Sequence, residues 1–398
     1  MCILLVLGYS NVYAGLVSSS RPPATRPQLH FQSAKQCQQC HQEIYSEWSQ
    51  SWMAKAYTNP VFQQDFSRWQ KYALAQGKDP LSCLRCHAPA ATLTGDVQLT
   101  KEVSREGVTC TVCHKVALVR ERNSQHYLVM DPRPNSLYGA SSASSKNNQP
   151  LAEKIGAHTI RRSDALADSS LCAGCHLDVL ADGTPLEHTY HEWKNSVFAK
   201  NGTQCMDCHM PVVIDANVKK SHRSHRFPGG HAPSELLNGV ASIELLPRMK
   251  KHSEAESAPG ARRRLQVKVS NLRTGHNFPT GGAHPSKLVL EMKILSAKGE
   301  ILFHADKTYE FIFNNQQGSE VNGRQRVASW SDKTLKPLET RIESFDVPML
   351  PDNSNIKLSL VYELIPVSMA KDLPQDFYEK HYQPITIDKV ERLYDDLF

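Results

Sequence analysis

The sequence predicts an α+β chain of two domains, a mostly helical, loop-rich region followed by a β-sandwich. Three observations point there. Five copies of Cys-x-x-Cys-His crowd into residues 37–209. Between them, apolar residues recur at mixed three- and four-residue spacing, as in Glu43 to Lys55 and Phe62 to Gln76, which is the period of a helix. From about residue 237 the apolar period changes to two, the period of a strand.

The boundaries follow from composition. Residues 2–9 are an apolar run and Val12-Tyr13-Ala14 is a small-residue cleavage pattern. Residues 1–14 therefore read as a secretory signal peptide that lacks its basic n-region. Residues 15–34, rich in Ser, Pro, Arg and Gln, read as a linker. The motif region spans 35–235. Within it the Ser/Asn-rich stretch Pro132 to Pro150 reads as a surface loop, and long strands are not expected. The β domain spans 236–368. Its candidate strands are Val240 to Leu246, Leu265 to Ser270, Leu288 to Leu295, Ile301 to His304, Tyr309 to Asn314, Arg341 to Val347 and Ile356 to Leu364. Short strands parted by turn residues suggest an immunoglobulin-like sandwich. Residues 369–398, polar with scattered aromatics, read as a C-terminal extension. No later run of 18 apolar residues exists, so no membrane span is expected.

The five motifs carry the chemistry. They are Cys37-Gln-Gln-Cys40-His41, Cys83-Leu-Arg-Cys86-His87, Cys110-Thr-Val-Cys113-His114, Cys172-Ala-Gly-Cys175-His176 and Cys205-Met-Asp-Cys208-His209. Each is the c-type haem attachment pattern: two thiols add to the vinyl groups and the histidine reaches the iron. Zinc sites and redox dithiols also use Cys-x-x-Cys, but neither explains the histidine. Histidine is 18 of 398 residues. Five chance histidines in a row would then have a probability on the order of 10⁻⁷. Ten of the eleven cysteines sit in the motifs and the other is Cys2, so no pair remains for a structural disulfide. Five covalently bound haem c groups are expected. Their attachment chemistry occurs outside the cytoplasm, which places the protein in the periplasm or beyond.

Cofactors also reshape the physical reading. Aromatics are 8% and mean hydropathy is −0.45, so haem must supply part of the apolar interior. The formal charge is +6. Five haems, counting two propionates and the iron porphyrin core of each, would add about −5 when oxidised and about −10 when reduced. The loaded protein is then near neutral or mildly acidic, and a nucleic-acid role is not expected.

Each iron takes a second axial ligand or stays open. The proximal ligands are His41, His87, His114, His176 and His209. The candidate distal ligands are His158, His191, His225, His231 and His276, with Met53 as a further possibility that would raise one potential. His276 sits in Gly275-His276-Asn277-Phe278-Pro279-Thr280-Gly281, where a proline and flanking glycines can aim an imidazole. There is also an internal repeat. Tyr45, Glu47, Trp48, Ser51, Ala54 and Lys55 recur as Tyr190, Glu192, Trp193, Ser196, Ala199 and Lys200, and Met53 aligns with Phe198. The repeat reads as a duplicated haem-packing helix.

The stretch Cys37-x-x-Cys40-His41-x-x-Ile44-Tyr45-x-x-Trp48-x-x-Ser51 resembles multihaem cytochromes of the cytochrome c-552/c-554 type. So do Glu106-Gly107-Val108-Thr109 and Met210-Pro211. The resemblance covers 35–235. In that superfamily the tryptophan–serine helix often continues to a ligating histidine, where this chain has Met53. The Gly-His-Asn-Phe-Pro-Thr-Gly loop looks like the C-terminal domain of exported multihaem cytochromes. The resemblance implies electron carriage between redox partners, with a membrane quinol-oxidising complex or a terminal reductase as candidate partners. Two alternatives stand beside it. One is a reductase or oxidoreductase of a small nitrogen or sulfur compound at a five-coordinate haem. Pentahaem nitrite reductases carry Cys-x-x-Cys-Lys at the catalytic haem, whereas all five motifs here end in histidine. The other is a subunit of an extracellular cytochrome filament.

Overall fold

The computed structural model describes residues 29–140, 153–155, 157–180, 182–214, 221–229, 236–247, 262–282, 286–321, 327–351, 353–365, 369 and 371–394. The leader, most of the linker and His231 lie outside the described residues. No helix among the described residues is long and apolar enough to cross a membrane.

Short helices dominate the first region, and each motif ends on a tight helical turn. Helices Cys110–His114 and Cys205–His209 are motifs in their entirety, and Ser170–His176 and Leu84–His87 end on theirs. His41 and His87 donate their backbone N–H groups to the carbonyls of Cys37 and Cys83, at 2.9 and 3.1 Å. One helical turn places the first cysteine and the histidine, four residues apart, on the same side. Buried apolar groups here are small and scattered. One joins Phe66, Cys83, Leu84, Ala88 and Ala91, another Ala173, Leu177 and Tyr190.

Long strands do occur between the motifs. Val116–Arg122 and Gln125–Met130 form an antiparallel hairpin with Arg122 opposite Gln125. Asn123 and Ser124 both take positive φ, 51° and 58°. That is the two-residue turn whose twist suits a hairpin. The stretch expected as a loop after Pro132 also contains a strand, Ser136–Gly139, paired in parallel with His158–Arg162. Buried Lys115 pins this part: its Nζ donates to the carbonyls of Arg133 at 2.7 Å and Asp131 at 3.3 Å.

The second region is β-rich, and all seven expected strands form. One antiparallel sheet orders Ala241–Leu245, Arg262–Asn271 and Thr340–Pro348. The other orders Ile301–Tyr309, Lys287–Leu295, Asn355–Glu363 and Ile385–Leu393. Burial alternates strictly along Lys287–Leu295, with Leu288, Leu290, Met292 and Ile294 inward. These join Val267, Val269, Phe345 and Val347 of the first sheet in one apolar core. Residues expected as a C-terminal extension are integrated instead. Strand Ile385–Leu393 pairs with Asn355–Glu363, and helix Gln375–His381 leads into it.

The two regions dock. Val61 of helix Pro60–Ala75 shares an apolar cluster with Ile365, Met369, Leu373 and Tyr382. Asn59 Nδ2 donates to Tyr382 Oη at 2.9 Å, and Arg68 pairs with Asp372 at 2.9 Å.

Leu290 is fully buried opposite Leu360. Replacing it with alanine is expected to cost the β domain about 2–5 kcal/mol, read as a lower urea midpoint at unchanged slope.

Candidate haem ligand sites

The structure sets three pairs of imidazoles opposite one another. His41 and His158 have ring centroids 6.3 Å apart, His114 and His225 6.2 Å, and His209 and His276 6.2 Å. Metal–imidazole bonds run about 2.0 Å, so two ring nitrogens across one metal are about 4 Å apart. Ring centroids, roughly 1 Å further out on each side, then sit near 6 Å. The spacing of all three pairs fits an iron held between two histidines. In each pair one member belongs to a Cys-x-x-Cys-His motif and the other is a distal candidate from the sequence.

Hydrogen bonds commit the far nitrogen of most of these rings. A carbonyl only accepts, so Nδ1 carries the proton and Nε2 is left as the donor atom for a metal. His114 Nδ1 donates to Tyr138 O at 2.8 Å, His209 Nδ1 to Pro228 O at 2.6 Å, and His87 Nδ1 to Ala56 O at 3.0 Å. On the distal side His225 Nδ1 donates to Arg223 O and His276 Nδ1 to Asn277 O, both at 2.8 Å. Such outer hydrogen bonds fix ring orientation and raise ligand basicity. Burial also keeps the rings neutral, as ligands must be. It pushes His209 and His225 down to about 4, and lowers His114 and His158.

The distal histidines arrive on three different scaffolds. His158 begins the strand His158–Arg162. His225 follows the strand Ser221–Arg223, which pairs with Val212–Ile214 just after the fifth motif. His276 stands on the loop after strand Arg262–Asn271 of the β domain. Phe278 exchanges backbone hydrogen bonds with Leu335 at 2.8 and 2.9 Å, and Asn277 Nδ2 donates to Thr334 Oγ1 at 2.9 Å. The β domain thus aims a histidine at the fifth motif.

The other candidates are placed differently. His191 is exposed, with Nε2 3.2 Å from its helix neighbour Asn195 Nδ2, and pairs with no motif histidine. Met53 is half-buried and contributes its backbone: its carbonyl accepts from Val108 N–H at 2.9 Å. Gly107, at φ +64°, makes that contact possible, since a Cβ there would lie 2.4 Å from Met53 O. Among the described residues no imidazole faces His176 across a metal-sized gap. Phe62 stacks on His87 at 4.0 Å.

The motifs also touch one another. The sulfurs of Cys37 and Cys110 lie within hydrogen-bonding reach, as do those of Cys86 and Cys175 and of Cys172 and Cys205. Cys113 lies close enough to Cys172 and Cys175 to perturb both. Motifs one, three, four and five therefore form a connected series, with motif two joined at four. Chain order alone does not reveal this.

Two further residues matter that the sequence marked only through the repeat. Glu47 and Glu192 are carboxylates with side chains 8% and 6% exposed.

Residues 36–115 match the model of the family described as cytochrome c554 and c-prime. A comparison with curated proteins finds no match. The chain is similar in fold to a penta-heme cytochrome c552 from Thermochromatium tepidum, with 24% identity and a TM-score of 0.69, covering 91% of this chain and 98% of that one. A Northeast Structural Genomics Consortium target matches over 40% of this chain at 12% identity and a TM-score of 0.19, too low to carry an argument.

Removing a distal imidazole should leave one iron five-coordinate. His276→Ala is expected to convert one low-spin iron to high-spin and open one carbon monoxide site per chain, read by electron paramagnetic resonance and by the Soret shift. An unchanged spectrum rejects the ligand assignment.

Proposed function

We propose that this multihaem c-type cytochrome, with its C-terminal β domain, is an exported pentahaem electron carrier that links redox partner proteins. The observation that carries the reading is the set of three imidazole pairs at one metal-sized spacing. Bound haem c supplies reversible one-electron iron chemistry. The chain's own residues do the rest. The five cysteine pairs would tether the haem, the motif histidines together with His158, His225 and His276 would hold iron, and carbonyl acceptors fix the imidazole tautomers. An iron with two protein ligands has no position left for a substrate, which suits carriage rather than catalysis. The contacts between motifs support transfer within one chain, because an electron need cross only the gap between adjoining sites. The similarity in fold to a penta-heme cytochrome c552 agrees with five attachment sites. Two antiparallel sheets closing on one core support the β-sandwich reading of the second region. A membrane quinol-oxidising complex and a terminal reductase are the proposed partners.

One observation favours a second reading. His176 faces no imidazole among the described residues, so the fourth site is where an open iron would reduce or oxidise a small nitrogen or sulfur compound.

Denaturing mass spectrometry of protein matured in a host competent for c-type cytochromes should show the polypeptide plus five haem masses. Four or fewer would sink the pentahaem reading. An electron paramagnetic resonance spectrum of the oxidised protein should contain at least three bis-imidazole low-spin irons. A high-spin signal, with tight cyanide binding, would shift the assignment from carrier to enzyme.

A further inference from the structure

Both copies of the internal repeat make the same two long-range hydrogen bonds, one through the indole and one through the carboxylate. In the helix Gln42–Gln50, Trp48 Nε1 donates to Val108 O at 2.8 Å. In the helix Thr189–Lys194, Trp193 Nε1 donates to Thr203 O at 2.9 Å. Val108 lies two residues before Cys110, and Thr203 two before Cys205, so each indole grips the entry to one motif. The residue before each tryptophan reaches the opposite way. Glu47 Oε2 accepts the backbone N–H of His225 at 2.9 Å. Glu192 Oε2 accepts the backbone N–H of Asn277, next to His276, at 3.1 Å. His225 is the ring opposite His114 of the motif that Trp48 grips. His276 is the ring opposite His209 of the motif that Trp193 grips.

The remaining partners of the two carboxylates also match. Each meets a hydroxyl, Ser224 Oγ at 3.4 Å for Glu47 and Thr280 Oγ1 at 2.6 Å for Glu192. Each meets a second imidazole outside the ligand set, His222 Nε2 at 3.2 Å and His188 Nε2 at 2.9 Å. A buried carboxylate is costly unless several donors converge on it. Here the hydrogen-bond donors come from the segments that present the distal histidines, whereas His188 stands at the N-terminus of Glu192's own helix. Sequence separations are 178 residues in the first case and 85 in the second, so neither set of contacts is a local consequence of the helix.

We infer that Glu47 and Glu192 are positioning residues, each completing a Glu-Trp bracket that spans one haem site and sets the distance between its proximal and distal histidines. The indole fixes the motif side through a backbone carbonyl, and the carboxylate fixes the distal side through a backbone amide. Both act from one rigid helix, two adjacent residues apart in reach but opposite in direction. Duplication of that helix then equips the third and fifth motifs, and the second copy clamps a loop of the β domain. The inference rests on the reading of His225 and His276 as axial ligands.

Five variants test it: His225→Ala, Glu47→Ala, Glu47→Gln, His276→Ala and Glu192→Ala, each as full-length, haem-loaded protein. The histidine variants calibrate the signal, since each should gain one high-spin iron and one equivalent of carbon monoxide binding. Glu47→Ala should reproduce the change seen in His225→Ala, and Glu192→Ala that in His276→Ala, with haem content still five. Glu47→Gln, which keeps an acceptor oxygen for the His225 amide, should restore most of the low-spin signal. If the histidine variants respond and both alanine replacements of glutamate stay fully low-spin, the bracket is refuted. It is equally refuted if Glu47→Gln behaves as Glu47→Ala, because charge rather than the amide clamp would then govern the site. If the histidine variants themselves are silent, the ligand assignment falls, which is a separate failure.

Discussion

Everything in the first region answers to one distance, the gap of about 4 Å between two imidazole nitrogens that share a metal. Three pairs of histidines, separated in sequence by 67 to 117 residues, have ring centroids 6.2 to 6.3 Å apart, the separation such a gap implies. An ordinary apolar core tolerates a repacked side chain at modest cost. A coordinated metal does not tolerate a ring turned by its own width. The fold therefore invests in orientation: backbone carbonyls on Nδ1, short helices that set the motif turn, and segments pinned by groups such as Lys115 and Arg223. Arg223 illustrates the economy of this arrangement. Its carbonyl accepts from the distal His225, while its guanidinium donates to the carbonyls of Met206 and Met210 in and after the fifth motif. One residue of the short hairpin thus couples the third and fifth sites.

Sparse apolar packing around the motifs follows from the same constraint. The clusters there hold a handful of residues each, while the β domain closes a core of more than twenty. A chain that wraps cofactors places its apolar contacts against them rather than against itself. Stability of the motif region is then linked to cofactor attachment, since whatever binds only the folded state stabilises it. The β domain needs no such partner, because two sheets with alternating inward residues bury their own surface.

Much of this was legible in the sequence, and the exceptions have physical causes. The five motifs and the seven strands from Ala241 onward were readable because their signals are local: a fixed spacing in one case, a period of two in the other. His158, His225 and His276 stand out in the sequence as candidates and each lies opposite a motif histidine in the structure, but no local pattern says which one. His191 looked equally good, yet it lies on the solvent face of its helix beside Asn195. The hairpin at Asn123-Ser124 was missed because serine rarely takes positive φ, and Asn-Ser is a weak turn signal beside Asn-Gly. Strand Ile385–Leu393 was missed because it is an edge strand whose outward residues are charged, which blurs the alternation. The roles of Glu47 and Glu192 were invisible for a different reason. A glutamate on an amphipathic helix normally faces water, and only the tertiary arrival of a distant amide turns it inward.

The position of His276 gives the two regions a thermodynamic link beyond ordinary docking. The apolar contact of Val61 with Ile365, Met369, Leu373 and Tyr382 and the Arg68–Asp372 pair would hold the domains together with or without an iron. The loop carrying His276 is different, because its contact is made through Glu192 and sets His276 opposite the motif histidine His209. Coupling between two events is reciprocal: if docking favours ligation, ligation favours docking by the same free energy. A weakened interface should therefore loosen the distal bond at the fifth motif, and loss of that bond should loosen the interface. The exposed ion pair contributes little to this on its own, since such pairs are screened by solvent. The buried contacts of Glu192 with Thr280 and the Asn277 amide are what carries the coupling, for they hydrogen-bond the motif region to the β-domain loop beside His276.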